Sequence, residues 1–293
     1  MKKIAIIGAG NVGKVLGYAL KNKGYRIIAS FSRTAESRKL AAGLLECPVF
    51  SEPEKAAGEA DIIFLTTPDR VIKEVCASIA AKKGFKKGQI VLHTSGAHSS
   101  EILSSAREDG ASILSFHPLQ TFPEFKVGLR SLPGTFFTVE GDEEAFPVAG
   151  EMVQALEGQM LSIPTDMKPV YHAAACVACN YLVSLMDIAL KMYGLMDIPP
   201  EKAFESLSPL IYGTLGNIRD LGPEKALTGP VARGDVSTIS SHIGKMKELV
   251  PKLVPLYRQL GLYTVYLAAR KGTLNKEQED QLKTLLGGQE NEC

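Results

Sequence analysis

The chain has almost no net charge: 33 Lys and Arg stand against 32 Asp and Glu, a formal +1 over 293 residues. No basic cluster is interleaved with aromatics either, so the electrostatic footprint of a nucleic-acid binder is missing. Cysteine is scarce. Its five positions (Cys47, Cys76, Cys176, Cys179 and Cys293) are odd in number and scattered, which argues against a disulfide scaffold and for free thiols in a reducing cytoplasm. No run reaches the ~18 uninterrupted apolar residues of a membrane-crossing helix. The opening "MKKIAIIGAG" resembles a signal peptide only faintly, because its apolar run stops at Gly8, and it reads as a buried first strand. Repeats and low-complexity tracts are lacking too, and only the tail "GGQENEC" is expected to fray.

What is present is an ordinary globular composition on a chain long enough for two domains. "KKIAII", "YRIIASFS", "ADIIFLTT", "QIVLHT" and "ASILSF" are short apolar runs separated by helical segments. That alternation predicts a parallel, doubly wound α/β sheet covered on both faces. "GTFFTVEG" and "QMLSIP" predict two further strands around a helix over 142–156. After Pro164 strands give way to long apolar helices. The expected organisation is a Rossmann-type domain over 1–164 and a mostly α-helical domain over 165–293.

Gly8, Gly10 and Gly13 form GxGxxG in "GAGNVG", between the first strand and a helix. In that context the glycines permit a tight turn, close approach of backbone N–H groups to a pyrophosphate, and tight helix–strand packing. Asn11 and Val12 lie within the same turn. An NAD site places an acid roughly 20 residues further on, at the end of the second strand. Here the sequence is "SFSRTAESR": Ser32, Arg33 and Thr34 stand there with no acid, and the guanidinium fork suits a phosphate. The expected cofactor is therefore NADP(H). Thr67 and Pro68 in "LTTPD", and Thr94, Ser95 and Gly96 in "HTSGA", fall at later strand ends, where a doubly wound sheet lines its ligand crevice.

The stretch "KPVYHAAACVACN" opens the helical half. Pro169 fits only a first helical turn, so the helix starts around 166–168. His172, Cys176 and Asn180 then recur at steps of four, with Lys168 one step earlier, forming a polar stripe on an otherwise apolar helix that should be buried. Burying such groups unpartnered is costly, so either internal hydrogen bonds or a ligand-filled cleft must satisfy them. The "CVAC" pair has no second Cys/His pair at metal spacing and reads as small buried thiols; no metal site is expected. His117 and Gln120 in "SFHPLQTF" also suit a cleft. In "ALTGPVARGDVSTISSH", Asp235 is the expected N-cap of a helix, and Arg233 is placed to hold a carboxylate bidentately.

The motifs "HTSGA", "HPLQTF", "KPVYHAAACVACNYLV" and "LTGPVARGD" resemble those of Rossmann-like proteins whose C-terminal half is a domain of unknown function. The resemblance runs from Met1 to about Arg270. More distantly, the chain is similar to ketopantoate reductase, pyrroline-5-carboxylate reductase, prephenate dehydrogenase and the 6-phosphogluconate and hydroxyisobutyrate dehydrogenases. Several of those carry a Lys and an Asn one or two turns apart on the first helix after the nucleotide domain. Lys168 and Asn180 are here three turns apart, so either Lys168 or His172 can be the proton donor. The resemblance implies a cytoplasmic, homodimeric, NADPH-dependent reductase of a small carboxylate substrate, a 2-oxo acid of ketopantoate type or a cyclic imine, with no nucleic-acid or membrane partner. On that reading His172 is the general acid, Lys168 and Asn180 orient or polarise the substrate, and Arg233 holds its carboxylate. The alternative is an NADP-binding sensor or scaffold without chemistry.

Overall fold

The structure, a computed structural model, describes residues 2–287, so all of the tail expected to fray except Gly287, Cys293 included, lies outside the described residues. The chain divides into two compact units, 1–184 and 185–293.

The first unit is an eight-stranded sheet, β1 (Lys3–Ile7), β2 (Arg26–Phe31), β3 (Val49–Phe50), β4 (Ile62–Leu65), β5 (Ile90–His93), β6 (Ser112–Pro118), β7 (Phe136–Gly141) and β8 (Gln159–Ser162), in the order 3-2-1-4-5-6-7-8. Its helices are α1 (Asn11–Asn22), α2 (Ala35–Leu45), α3 (Pro53–Ala57), α4 (Ile72–Ala81), α5 (Ser104–Glu108), α6 (Phe125–Ser131), α7 (Phe146–Ala155) and α8 (Lys168–Ala178). Side chains alternate across the central strands. Ile4, Ile6, Phe64, Leu92 and Phe116 belong to one buried layer, and Ala5, Ile7, Ile63, Leu65 and Val91 to the other. Each such aliphatic or aromatic side chain contributes about 1.5–3 kcal/mol on burial. Because β1 is flanked by β2 and β4, the strand order reverses there, and the carboxyl ends of β1 and β4 open a crevice.

Two features differ from the sequence expectation. β3, only two residues long, is too short to show a period. β7 runs antiparallel to β6, although the other neighbouring strands are parallel. Its first residues pair with the end of β6, Phe137 opposite Pro118, so segment 119–135 returns to the same sheet end without crossing over.

The helix expected to be buried all round is not. A helical run from Thr165 to Gly194 includes α8 and α9 (Asn180–Gly194) and is by length and composition long and apolar enough to cross a membrane; its most apolar 18-residue stretch has a mean hydropathy of 1.7, and no residue of that stretch is buried. Val177 and Tyr181 are each 59% exposed. The reason is geometric: α8 turns its polar stripe, not its apolar side, toward the sheet. Lys168 is fully buried and His172 and Cys176 are half-buried, whereas Val170, Ala173, Ala174 and Val177 face outward. The two thiols are likewise less buried than expected, with Cys179 exposed.

The second unit contains most of α9 and then α10 (Pro200–Ala226), α11 (Val236–Leu249), α12 (Val254–Lys271) and α13 (Lys276–Leu286). α10 kinks at Gly222, whose φ of +77° a side chain would strain, just before Pro223, which has no N–H to give the ladder. Asp235 caps α11, accepting from the Thr238 N–H at 3.0 Å. Ile239, Ile243, Val265, Ala268 and Leu282 form its core.

Candidate active site

Gly8 leaves β1 with φ +106°, and a Cβ there would lie 2.7 Å from the backbone of Thr66 and Thr67. A Cβ on Gly13 would clash with the Thr66 hydroxyl and meet the Gly8 carbonyl at 2.6 Å. Both positions therefore require glycine for close approach of the β1–α1 turn to the end of β4, where the Thr66 hydroxyl donates to the Gly8 carbonyl at 2.6 Å. In front of Gly10 the space is open. The resulting cavity, about 710 Å³, is lined by Gly8, Gly10, Asn11, Val12, Ser32, Arg33, Thr34, Thr67, Pro68 and Thr94, ten residues expected at the cofactor site.

Local chemistry fits NADP(H). The N-terminus of α1 offers unpaired N–H groups to a pyrophosphate, and the buried Thr67 hydroxyl has no protein partner. At the end of β2, Arg33 is exposed, and Arg38, one turn further along the same stretch, fixes its loop. Arg38 donates to the carbonyls of Ser32 and Arg33 at 3.0 and 2.9 Å. Thr34 caps α2 by accepting from the Ser37 N–H at 3.2 Å. Asn11 spends its side-chain amide on the carbonyls of Phe122 and Pro123, at 3.1 and 2.8 Å, tying the segment after β6 to α1.

Beside this crevice, three strands present a polar row instead of apolar side chains. His93 on β5 pairs with Ser115 on β6, which pairs with Glu140 on β7, and all three are buried. Glu140 accepts from the backbone N–H and hydroxyl of Ser100, at 2.7 and 2.8 Å. His93 Nδ1 accepts from the Ser95 N–H at 3.1 Å, which makes Nε2 the protonated nitrogen, 3.1 Å from the Ser99 carbonyl. Burial, above all, pushes the His93 imidazole down to about 4, so it is neutral. Ser95 donates its hydroxyl proton to Asp69 at 2.8 Å while its oxygen accepts from the N–H groups of Ala97 and His98. The "HTSGA" loop is thus held from both sides.

The first turns of α8 lie over this row. Lys168 Nζ donates to Ser115 Oγ at 2.6 Å and stands 5.3 Å from the centroid of the Tyr171 ring. Burial lowers the Lys168 ammonium to about 8, opposed by the negative charges of Glu140 and Asp69. The Tyr171 hydroxyl meets His117 Nδ1 at 2.7 Å. Burial, reinforced by the Lys168 charge, drives His117 down to about 3. His172 Nε2 faces the Cys176 thiol at 3.6 Å, and its Nδ1 is buried without a partner. A Cβ on Gly96 would lie 2.7 Å from His172 Nδ1 and 2.8 Å from His117 Nε2. Two imidazoles therefore converge on a backbone surface that has no side chain to separate them.

Of the residues expected to act on substrate, Lys168 and His172 are brought to this cluster. Asn180 is exposed at the start of α9, and Arg233 is exposed in the second unit. Tyr171, Ser115, Glu140 and Asp69 were missed as site residues. The signal for Tyr171 was its spacing, three residues after Lys168 and so on the same helical face. For Ser115 and Glu140 it was a polar residue inside each of two apolar strands. Among the described residues no group of three or more His, Cys, Asp or Glu side chains gathers as a metal site.

Two family models match: a Rossmann-like domain over residues 1–118 and the domain of unknown function DUF2520 over residues 135–264. The chain is a Rossmann-like DUF2520 family protein. No curated protein matches it by sequence. Among solved structures, this DUF2520 chain is similar to a candidate NADP oxidoreductase from Bacteroides fragilis, at 23% identity and a TM-score of 0.73, covering 92% of this chain and 98% of that one. A protein from Thermotoga maritima matches at 25% identity and a TM-score of 0.71, with 92% and 99% covered. The pyrroline carboxylate reductase of Plasmodium falciparum, solved with NADP bound, matches at 11% identity and a TM-score of 0.57, with 97% and 98% covered, a likeness of fold.

Proposed function

We propose that the protein is an NADPH-dependent oxidoreductase that reduces the C=O or C=N bond of a small acid. The observation that supports it best is the partnerless, buried Nδ1 of His172, held at Gly96 beside the crevice that accepts the dinucleotide. The ring's other nitrogen faces the Cys176 thiol, and an unsatisfied buried nitrogen costs stability unless a ligand uses it. NADPH supplies the hydride when bound. His172 gives the proton to the atom that gains negative charge, a step of the kind that contributes about 10²–10⁴-fold. Lys168, fully buried, acts through its field on the Tyr171 ring and Ser115. Asn180 orients the substrate.

In this reading residues 1–164 hold the cofactor and 165–293 serve substrate binding and dimerisation. A ketopantoate-like 2-oxo acid is the first substrate to try and a pyrroline-5-carboxylate-type imine the second. The chain works in the cytoplasm as a homodimer whose second copy covers the apolar side of α8 and α9, away from membranes and nucleic acid.

The test is NADPH oxidation against a panel of 2-oxo acids and cyclic imines, with wild type and His172→Ala compared after each is shown to be folded and to bind NADPH. Turnover lost in the variant supports the assignment. Tight NADPH binding with no turnover on any compound moves the weight to a sensor.

A further inference from the structure

We infer that Cys176 is a positioning residue of this site: its thiol donates to His172 Nε2 and thereby keeps the ring proton on Nδ1, the nitrogen at Gly96. The inference rests on the reductase reading and deepens it, because it names where the transferred proton is held and what replaces it.

The pair follows from helix geometry. Residues four apart share a face, and a helical side chain leans back over the preceding turn. Cys176 therefore reaches the imidazole one turn before it, with Sγ 3.6 Å from Nε2. Among the described residues the thiol is the ring's one hydrogen-bond partner, since Nδ1 is buried and has none. Cys179, three residues on, is exposed, so the two thiols of "CVAC" are not equivalent. A neutral imidazole carries one proton, and the bond made at one nitrogen decides which nitrogen holds it. An N–H at Nε2 would be aimed at sulfur, a weak acceptor. A bare Nε2 instead receives the S–H, and a ring nitrogen is the better acceptor of the two. The second pairing is the stronger, and it leaves the proton on Nδ1, which a Cβ on Gly96 would approach to 2.7 Å.

That arrangement suits an acid. A neutral ring that loses its Nδ1 proton alone becomes an anion; with Cys176 beside it, Nε2 takes the thiol proton as Nδ1 releases its own. In the balanced step, hydride passes from the dihydronicotinamide to the carbon of a C=O or neutral C=N bond. The π pair moves to the oxygen or nitrogen, which takes the Nδ1 proton, and the Cys176 proton moves to Nε2. The ring stays neutral and sulfur ends as thiolate. Once product leaves, solvent returns a proton to Nδ1 and Nε2 hands its own back to sulfur. A serine hydroxyl would serve less well, because in a helix it turns to the carbonyl four residues back.

The experiment reads the tautomer directly, by nitrogen-15 NMR of labelled histidine rings at pH 8, above the ordinary imidazole range. Wild type, Cys176→Ala and Cys176→Ser are compared, each shown to be folded by circular dichroism, and His172→Gln assigns the signal. The expected result is a proton on Nδ1 in wild type, on Nε2 in Cys176→Ala (the form a free histidine prefers in water), and a mixture in Cys176→Ser. A wild-type ring protonated on Nε2 or on both nitrogens overturns the inference, as does a Cys176→Ala ring that keeps its proton on Nδ1. With a substrate that is reduced, Cys176→Ala should lower kcat about ten- to a hundredfold at unchanged KM for NADPH, and Cys176→Ser should recover part of the loss. An unchanged kcat in Cys176→Ala overturns the relay. If no compound is reduced, the reductase reading falls, and the NMR comparison still decides whether Cys176 holds the ring.

Discussion

His93 is held neutral by its surroundings, and that has a cost in acid. Its imidazole titrates near 6.5 in an unfolded chain and at about 4 here. Between those values the unfolded chain binds a proton that the folded one refuses, so stability is fully present above pH 6.5 and falls as pH drops through that window, by about 3 kcal/mol for this group. Urea denaturation at pH 7 and pH 4.5 should show the loss, and His93→Gln should reduce the slope between them. Arg33 carries a different expectation. If its guanidinium holds the 2′-phosphate, Arg33→Ser weakens NADPH binding by roughly ten- to a hundredfold and leaves NADH nearly unchanged, as one charge-assisted contact warrants. Equal loss for both cofactors, by fluorescence titration, would refute it. Arg33 was visible in the sequence because a missing acid at a known spacing is a positive signal. Arg38, one turn further, was visible as a second guanidinium, but its role was not, since its partners are two carbonyls whose directions only the folded loop defines.

At the scale of elements, two glycines separate binding from chemistry. Gly13→Ala should abolish NADPH binding and lower the melting temperature, because its Cβ would push against the backbone of Gly8, the Thr66 hydroxyl and the Ile6 side chain. Gly96→Ala should instead displace His117 and His172 by ångströms, cutting turnover on the order of 10²-fold with NADPH affinity retained. Loss of NADPH binding in Gly96→Ala would remove the distinction. The β1–turn–α1 unit was legible because strand, glycine spacing and helix all agree in one short segment. The direction of β7 was not, since it depends on the path of 119–135 and not on any periodicity within the strand. The polar row was half-legible: alternation in "SILSFHP" puts Ser115 and His117 on one face, but which face meets α8 is a tertiary matter.

For the whole molecule, the apolar sides of α8 and α9 set the main expectation. Val177, Tyr181 and Val183 are 59–66% exposed on neighbouring turns, more apolar surface than a monomer normally leaves in water. Static light scattering should give twice the chain mass, and Val177→Lys with Val183→Lys should give a folded monomer by circular dichroism. A monomeric wild type would end the homodimer reading. The sequence shows that this helix is apolar and carries one polar stripe. It does not show that the stripe turns inward, because the usual rule sends apolar residues to the core and α8 inverts it.

That inversion has a kinetic corollary. One side of α8 positions Lys168, Tyr171 and His172, and the opposite side is the one a second copy would cover. If activity needs that second copy, competence is tied to mass action: as the preparation is diluted below the dimer's dissociation constant, turnover per chain is expected to decline before any unfolding is detectable. A plot of rate against enzyme concentration would then bend upward at its low end instead of passing straight through the origin.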